Sequence, residues 1–319
     1  MTQALSGILN VDKPPGWTSH DVVSLVRHLA GIRQVGHAGT LDPLATGVLL
    51  VCIGAATRLS DYLMHGRKCY LASLALGATT TTDDREGEVV VRRPIADVTR
   101  QRVLDILPAF VGAIEQIPPA FSAIKVGGVA AYRRARRGLA PELAPRTVRV
   151  EGLAVTALDG DTLTILVWCS AGTYIRSLAR DIGEALGCGA HLAALRRLSS
   201  GGYSVAESRS LVALQDLAAA GRLSQALAPM DRAVCDWPVV ILDDRAISQL
   251  AHGGLLAAPA PAGGGPTGAR LMSIDGRLLG LAEYDPRRRG WQPRKVLDAA
   301  PSAGQTAPRA GHRAHAVKG

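Results

Sequence analysis

The sequence predicts an α+β fold, and three observations carry that reading. Strand-like and helix-like segments are mixed without regular β-α alternation, which disfavours a doubly wound parallel sheet. Residues 68–76 and 162–169 have strand character, whereas the stretch after Gly172 changes to a helical period. Beyond residue 222 the composition shifts to short apolar runs between Gly- and Pro-rich loops, which marks a smaller β-rich unit.

Taken in order, residues 7–13 (GILNVDK) form a short strand closed by Pro14-Pro15-Gly16. Thr18 and Asp21 have the spacing of a capping-box variant, and Val22, Val23, Val26 and Leu29 share the apolar face of a helix that stops near Gly31. Residues 48–53 are an apolar, buried run. Residues 68–76 read as a strand, the polar 79–87 as a loop, and 97–110 as a helix ended by Gly112. After the strand 162–169, Ile175, Leu178, Ala179, Ile182 and Leu186 line one helical face, and Gly187 and Gly189 stop that helix. Residues 222–238 are read as a connector. A strand then starts at Pro238, a short helix covers 242–250, and 257–268 is a flexible loop. A hairpin follows around Asp275-Gly276. From Ala300 onward disorder is expected.

A chain of 319 residues has room for about two domains. Aromatic residues are only 4% against 47% hydrophobic, so the core must rest on Leu, Val, Ile and Ala. The net charge of +9, with a pI of about 9.7, favours a polyanionic partner. The charge is clustered: Lys125, Arg133, Arg134, Arg136, Arg137, Arg146 and Arg149 form one group, and Arg287, Arg288, Arg289, Arg294 and Lys295 another. Tyr132 and Trp291 inside these clusters offer rings for stacking on bases, so RNA binding is expected. The five cysteines form no C-x-x-C pair, which excludes a patterned zinc site or disulfide framework; no metal is expected. Neither a leader nor a bilayer-length apolar run is read, so the expected location is the cytoplasm, with no membrane partner.

The most informative stretch is Gly36-His37-Ala38-Gly39-Thr40-Leu41-Asp42-Pro43-Leu44-Ala45-Thr46-Gly47. It sets a single carboxylate, Asp42, on a glycine-rich turn just before the apolar run. Pro43 pushes the Asp42 backbone towards an extended conformation. Such a placement can present a nucleophile or base, and an Asp before proline equally suits a turn or helix cap. The whole motif resembles the active-site motif of the bacterial tRNA pseudouridine synthase B family, which isomerises uridine 55 in the T arm of tRNA. The resemblance continues in order through residues 7–19, 36–63, 68–87, 117–138 and 169–198.

That resemblance implies a pseudouridine synthase catalytic domain over 1–234, with a mixed, largely antiparallel sheet and flanking helices. It implies a PUA-like RNA-binding domain over 235–299, followed by a disordered tail, 300–319. The implied substrate is the tRNA T stem-loop, the reaction needs no cofactor, and a monomer is expected. Asp42 would be the essential carboxylate; attack at C1′, attack on the uracil ring and removal of a ribose proton all remain open to it. Arg176, in Gly172-Thr173-Tyr174-Ile175-Arg176, would pair with it, and Tyr70 would stack on the base and handle the proton at C5. Read without the resemblance, Arg176 suits an exposed helix arginine and Tyr70 a packed strand tyrosine. His37 would assist extrusion of the uridine, a step that costs a few kcal/mol. Leu195 would line the uracil pocket, with Tyr174 beside it, and Lys13 and Arg58 would contact phosphate or other pocket groups. Arg58 stands where the family often has lysine, Phe121 where it has tyrosine, and Thr81 where Asp is common. The competing reading is a tRNA-binding or folding factor that keeps the scaffold without turnover.

Overall fold

The computed structural model describes residues 5–122, 125–126, 129–130, 143–259 and 268–298, and the chain divides into two compact units, Met1–Ala233 and Val234–Gly319. The first unit begins with β1 (Gly7–Lys13), α1 (Ser19–Ala30), β2 (Val35–His37), β3 (Thr46–Ile53), α2 (Ser60–His65) and β4 (Lys68–Leu76). It continues through β5 (Ala78–Thr80), β6 (Val89–Arg92), α3 (Arg100–Ile106), β7 (Gly112–Gln116), β8 (Lys125–Val126) and β9 (Val129–Ala130). Then come β10 (Arg146–Asp159), β11 (Thr162–Cys169), α4 (Ile175–Leu186), β12 (Ala190–Ser200) and β13 (Tyr203–Ser204). It closes with β14 (Arg209–Ser210), α5 (Leu211–Ala219) and β15 (Leu227–Ala228).

The main sheet runs in the order β14-β1-β3-β12-β4-β11-β10-β7. It is largely antiparallel, with parallel pairing at β14–β1 and β3–β12. Sequence pattern follows coverage. β3 is apolar without alternation because both its faces are covered: Leu49, Val51 and Ile53 join the core under α1, while Val48, Leu50 and Cys52 pack with Ile8, Ala56, Leu63 and Tyr203. β4 and β11 alternate buried with half-exposed residues, because only one face of the sheet there is covered. On that face Ala72, Leu74, Ile165 and Val167 meet Ile175, Leu178, Ala179 and Ile182 of α4. Each fully buried Leu, Ile or Val among them contributes about 1.5–3 kcal/mol. Thr18 caps α1 as expected: its side chain accepts from the Asp21 N–H, and Gly31 ends the helix at φ +64°.

Three expectations change. Residues 79 and 80 of the expected polar loop belong to strand β5, since β6 supplies partners for their backbone groups. The expected 97–110 helix starts only at Arg100, where the Thr99 side chain caps it, and its last turn, Leu107–Phe110, is 3₁₀. Pro108 has no N–H to continue the α pattern, so that turn tightens. The expected connector contains β15, which pairs with β1 at Leu9 and Leu227.

The second unit comprises β16 (Val239–Leu242), α6 (Asp244–Ala251), β17 (Gly268–Ser273), β18 (Leu278–Asp285) and β19 (Gly290–Val296). β16 lies parallel to β17, and β17–β18–β19 is an antiparallel meander turning at Gly276, φ +84°. Trp291 does not offer a stacking surface. It is 1% exposed, and its Nε1–H donates to Pro259 O at 3.0 Å, because this small core needs its largest side chain inside. Arg287, Arg288 and Arg289 are exposed on the β18–β19 turn. Of the first basic cluster, Arg146 and Arg149 are exposed on β10. Arg133, Arg134, Arg136, Arg137, Tyr132, the Lys125 side chain, most of the 257–268 loop and the tail 300–319 lie outside the described residues. Among the described residues no helix is long and apolar enough to cross a membrane.

Candidate active site

The loop that carries Asp42 is pinned on both sides of it. Ser19, 1% exposed at the start of α1, clamps Leu41: its Oγ accepts from the Leu41 N–H at 2.9 Å and donates to Leu41 O at 3.1 Å. On the other side Pro43 O accepts from the Gly16 N–H at 2.9 Å and from Lys13 Nζ at 3.2 Å. Leu41, Leu44 and Ala45 are buried, so the loop is anchored by its apolar side chains while the Asp42 side chain keeps 33% exposure. Gly47 makes the anchoring possible. It adopts φ +94°, and a Cβ there would sit 2.2 Å from Arg197 O on the paired strand β12.

Arg176 meets Asp42 in two contacts, Nε to Oδ2 at 3.0 Å and Nη2 to Oδ1 at 3.3 Å. It is not an exposed helix arginine. At 6% exposure it also reaches Asp84 Oδ2 at 3.5 Å, Thr82 O at 3.2 Å and Phe121 O at 2.9 Å. Its helix is latched from outside. Gln116, 1% exposed at the end of β7, donates Nε2–H to Tyr174 O at 2.9 Å and accepts the Tyr174 N–H at 2.8 Å. Tyr174 is the N-cap residue of α4, so this clamp sets the first turn from which Arg176 projects. Burial raises the Asp42 carboxyl above the ordinary carboxylate range, and the Asp84 charge adds to this; Arg176 and Lys13 oppose it.

Tyr70 and Arg197 are cross-strand partners of β4 and β12, and Leu195 lies opposite Ala72 on the same inward face. Tyr70 is 8% exposed, and burial raises its phenol, with the charges of Cys169 and Asp42 adding and Arg197 opposing. Leu195 is buried at 8% exposure, and its carbonyl accepts from Thr46 Oγ1 at the start of β3. The site therefore forms where the start of β3, the end of β12, the start of β4 and the first turn of α4 converge. Tyr174 caps the helix that carries Arg176, and burial raises its phenol, with Arg146 and Arg176 opposing and Asp42 adding.

His37 ends β2, on the strand pair that leads into the Asp42 loop. Its ring meets His20 edge-on at 5.3 Å, its buried Nδ1 has no partner among the described residues, and burial lowers its pKa with His20 and Arg197 adding. One expected contact is corrected. Lys13 is 0% exposed and spends its three N–H donors on Pro14 O, Trp17 O and Pro43 O, so of the phosphate or other pocket groups expected for it, it is the Asp42 loop that it holds. Arg58 lies in the short helical segment Gly54–Leu59 that follows β3.

Sequence reading missed Arg197, Asp84, Gln116 and Ser19. Arg197 carries a signal, as the arginine two positions after an inward leucine on a strand. Asp84 and Gln116 carry none, since nothing local tells a buried polar side chain from an exposed one.

Residues 27–175 match the TruB family pseudouridylate synthase N-terminal domain, and residues 176–235 the tRNA pseudouridylate synthase B C-terminal domain. The tRNA pseudouridine synthase B of Thermobifida fusca (strain YX) is 47% identical over 286 residues, 87% of this chain and 94% of the relative. That of Stutzerimonas stutzeri (strain A1501) is 42% identical over 297 residues, 92% of this chain and 96% of the relative. The fold is similar to a chain of the crystal structure of a Cbf5-Nop10-Gar1 complex, with TM-score 0.72 and 30% identity over 92% of this chain and 85% of that one. It is also similar to a chain of the H/ACA RNP bound to a substrate RNA containing 2′-deoxyuridine, with TM-score 0.71 and 28% identity over 93% and 88%. Identity of this order over nearly the whole of both chains does not arise without common descent, and the chain belongs to the TruB family of pseudouridylate synthases.

Proposed function

We propose that Asp42 is the essential carboxylate with which this chain, as a TruB-family isomerase, converts uridine 55 of tRNA to pseudouridine. The observation that carries the assignment is the two-point Arg176–Asp42 pair, with Asp42 the partly open member and Arg176 the buried one. A base flipped over Asp42 expels its remaining water, which pushes the carboxyl further towards its neutral form. The guanidinium, charged at every working pH, opposes that shift and keeps the group ionised. Tyr70 and Leu195 share the inward sheet face beside it and suit the two sides of a uracil ring, with Tyr70 the acceptor for the C5 proton. His37, at the end of the strand before the Asp42 loop, and Tyr174, at the N-cap of the Arg176 helix, would hold the uridine out of the T stem-loop. Binding of tRNA would use the exposed arginines of both units, the second acting as a PUA-like RNA module. The decisive experiment is Asp42→Asn in a single-turnover assay of tritium release from C5-labelled tRNA. Release should vanish while tRNA affinity stays within a few-fold; substantial residual turnover refutes the assignment.

A further inference from the structure

Arg197 is a buried cation with no carboxylate partner among the described residues. It is 1% exposed, its Nε–H donates to Val48 O at 2.6 Å and Nη2–H to Gly39 O at 3.0 Å, and it is the cross-strand partner of Tyr70 on the same buried face, where its charge favours the ionised phenol. Its charged neighbours Lys13, Lys68 and His37 are basic groups, each of which it drives towards the neutral form. Burying a guanidinium among cations and carbonyls is costly, and a hydrophobic residue would fill the space with less penalty. The position gains from a cation when an anion forms against it. The Tyr70 oxygen is the group there that can become one.

We propose that Arg197 is a positioning residue of the isomerisation, its guanidinium orienting the Tyr70 oxygen and supporting it as an oxyanion when it takes the C5 proton. The inference rests on the reading of Tyr70 as the C5 proton acceptor. After the base has rejoined the ribose through C5, that carbon holds both its hydrogen and the new C–C bond, and C6 is doubly bonded to N1. The C5–H bond then breaks and its proton passes to the Tyr70 oxyanion. The electron pair forms C5=C6, the C6=N1 pair moves onto N1, and N1 takes a proton from solvent. Tyr70 had released its own proton to solvent beforehand, so it is restored and the charges balance. An oxyanion in this buried place needs a fixed counter-charge. The other groups facing it are Asp42, which repels it, and Cys169, whose thiol is pushed up to about 11 and stays neutral. Gly39 belongs to the same arrangement: its carbonyl accepts from Arg197 Nη2–H at 3.0 Å, so the guanidinium packs against the backbone of the Asp42 loop.

The test measures single-turnover tritium release from C5-labelled tRNA against pH, using the full-length chain. Arg197→Lys keeps a charge but loses the planar fork, and Arg197→Gln loses the charge; loss of folding in one leaves the other as the test. Each is prepared with tyrosine and with the more acidic 3,5-difluorotyrosine at position 70. The acid limb should move to higher pH, by about one unit for Arg197→Lys and further for Arg197→Gln, which is a tenfold loss per unit at fixed pH on that limb. Difluorotyrosine should move the limb back and restore most of the rate. Wild-type pH profiles in the folded variants, or a uniform rate loss that difluorotyrosine does not rescue, overturn the proposal. If difluorotyrosine leaves the profile of the chain with Arg197 intact unmoved, Tyr70 is not the acceptor, and the underlying reading fails separately.

Discussion

Replacing Arg176 with Met removes one guanidinium from between two carboxylates that differ in exposure, and the two consequences should separate. The Asp84 side chain is 5% exposed and, among the described residues, keeps the Thr82 hydroxyl at 2.5 Å and the Glu86 N–H at 3.0 Å once Arg176, at 3.5 Å, is gone. A buried charge stripped of its counter-ion typically costs about 3–5 kcal/mol. The Asp42 side chain is 33% exposed, so water replaces part of what it loses and its share of the destabilisation is small. The stability loss therefore belongs to Asp84 and the rate loss to Asp42. Arg176→Met should destabilise the chain by about 3–5 kcal/mol in urea unfolding. Arg176→Met with Asp84→Asn should recover at least about 2 kcal/mol of that, the coupling expected of contacting groups. Neither variant should regain turnover, and any remaining activity should need higher pH, because burial raises the Asp42 carboxyl and Arg176 is the main group holding it down. A double variant no more stable than the single one, or one that regains turnover, refutes this division.

Further outcomes can be checked directly. Gly47→Ala should cost more than about 3 kcal/mol, since φ +94° and a Cβ 2.2 Å from Arg197 O force β3 and β12 apart; thermal unfolding within about 1 kcal/mol of wild type would contradict the geometry. Burial lowers Lys13 and Lys68 to about 8 from an unfolded value of 10.5. The unfolded chain then binds more protons between about pH 8 and 10.5, so these two groups make stability rise with pH across that window, and Lys13→Met should flatten the rise in urea midpoints. Affinity for tRNA should fall steeply with salt, and replacing Arg287, Arg288 and Arg289 with Ala should lower the log–log slope by roughly 0.7–0.9 for each phosphate that is no longer neutralised; an unchanged slope excludes that turn from the docking surface.

Periodicity and punctuation determined much by themselves. The α1 cap, the strands 7–13, 68–76 and 162–169, and the amphipathic face of α4 were legible because each depends on local spacing and on coverage that leaves a pattern of two or of 3.6 residues. The run of residues 36–47 marked Asp42 for the same reason, as a chain of turn residues entering a buried strand. The tertiary fold alone decided which polar side chains face inward. Arg196 and Arg197 are neighbours in sequence, yet the first pairs with Asp12 at the protein surface while the second is sealed against Tyr70. Lys13, expected to contact phosphate or other pocket groups, and Trp291, expected to stack on bases, are core residues, because a buried carbonyl cluster and a small β core each required one large side chain. Asp84 stands far before Arg176 in the chain and meets it only because β12 and α4 fold across the loop that follows β5. Burial, and with it the energy of a charge, depends on the packing of distant segments, and no local pattern encodes that.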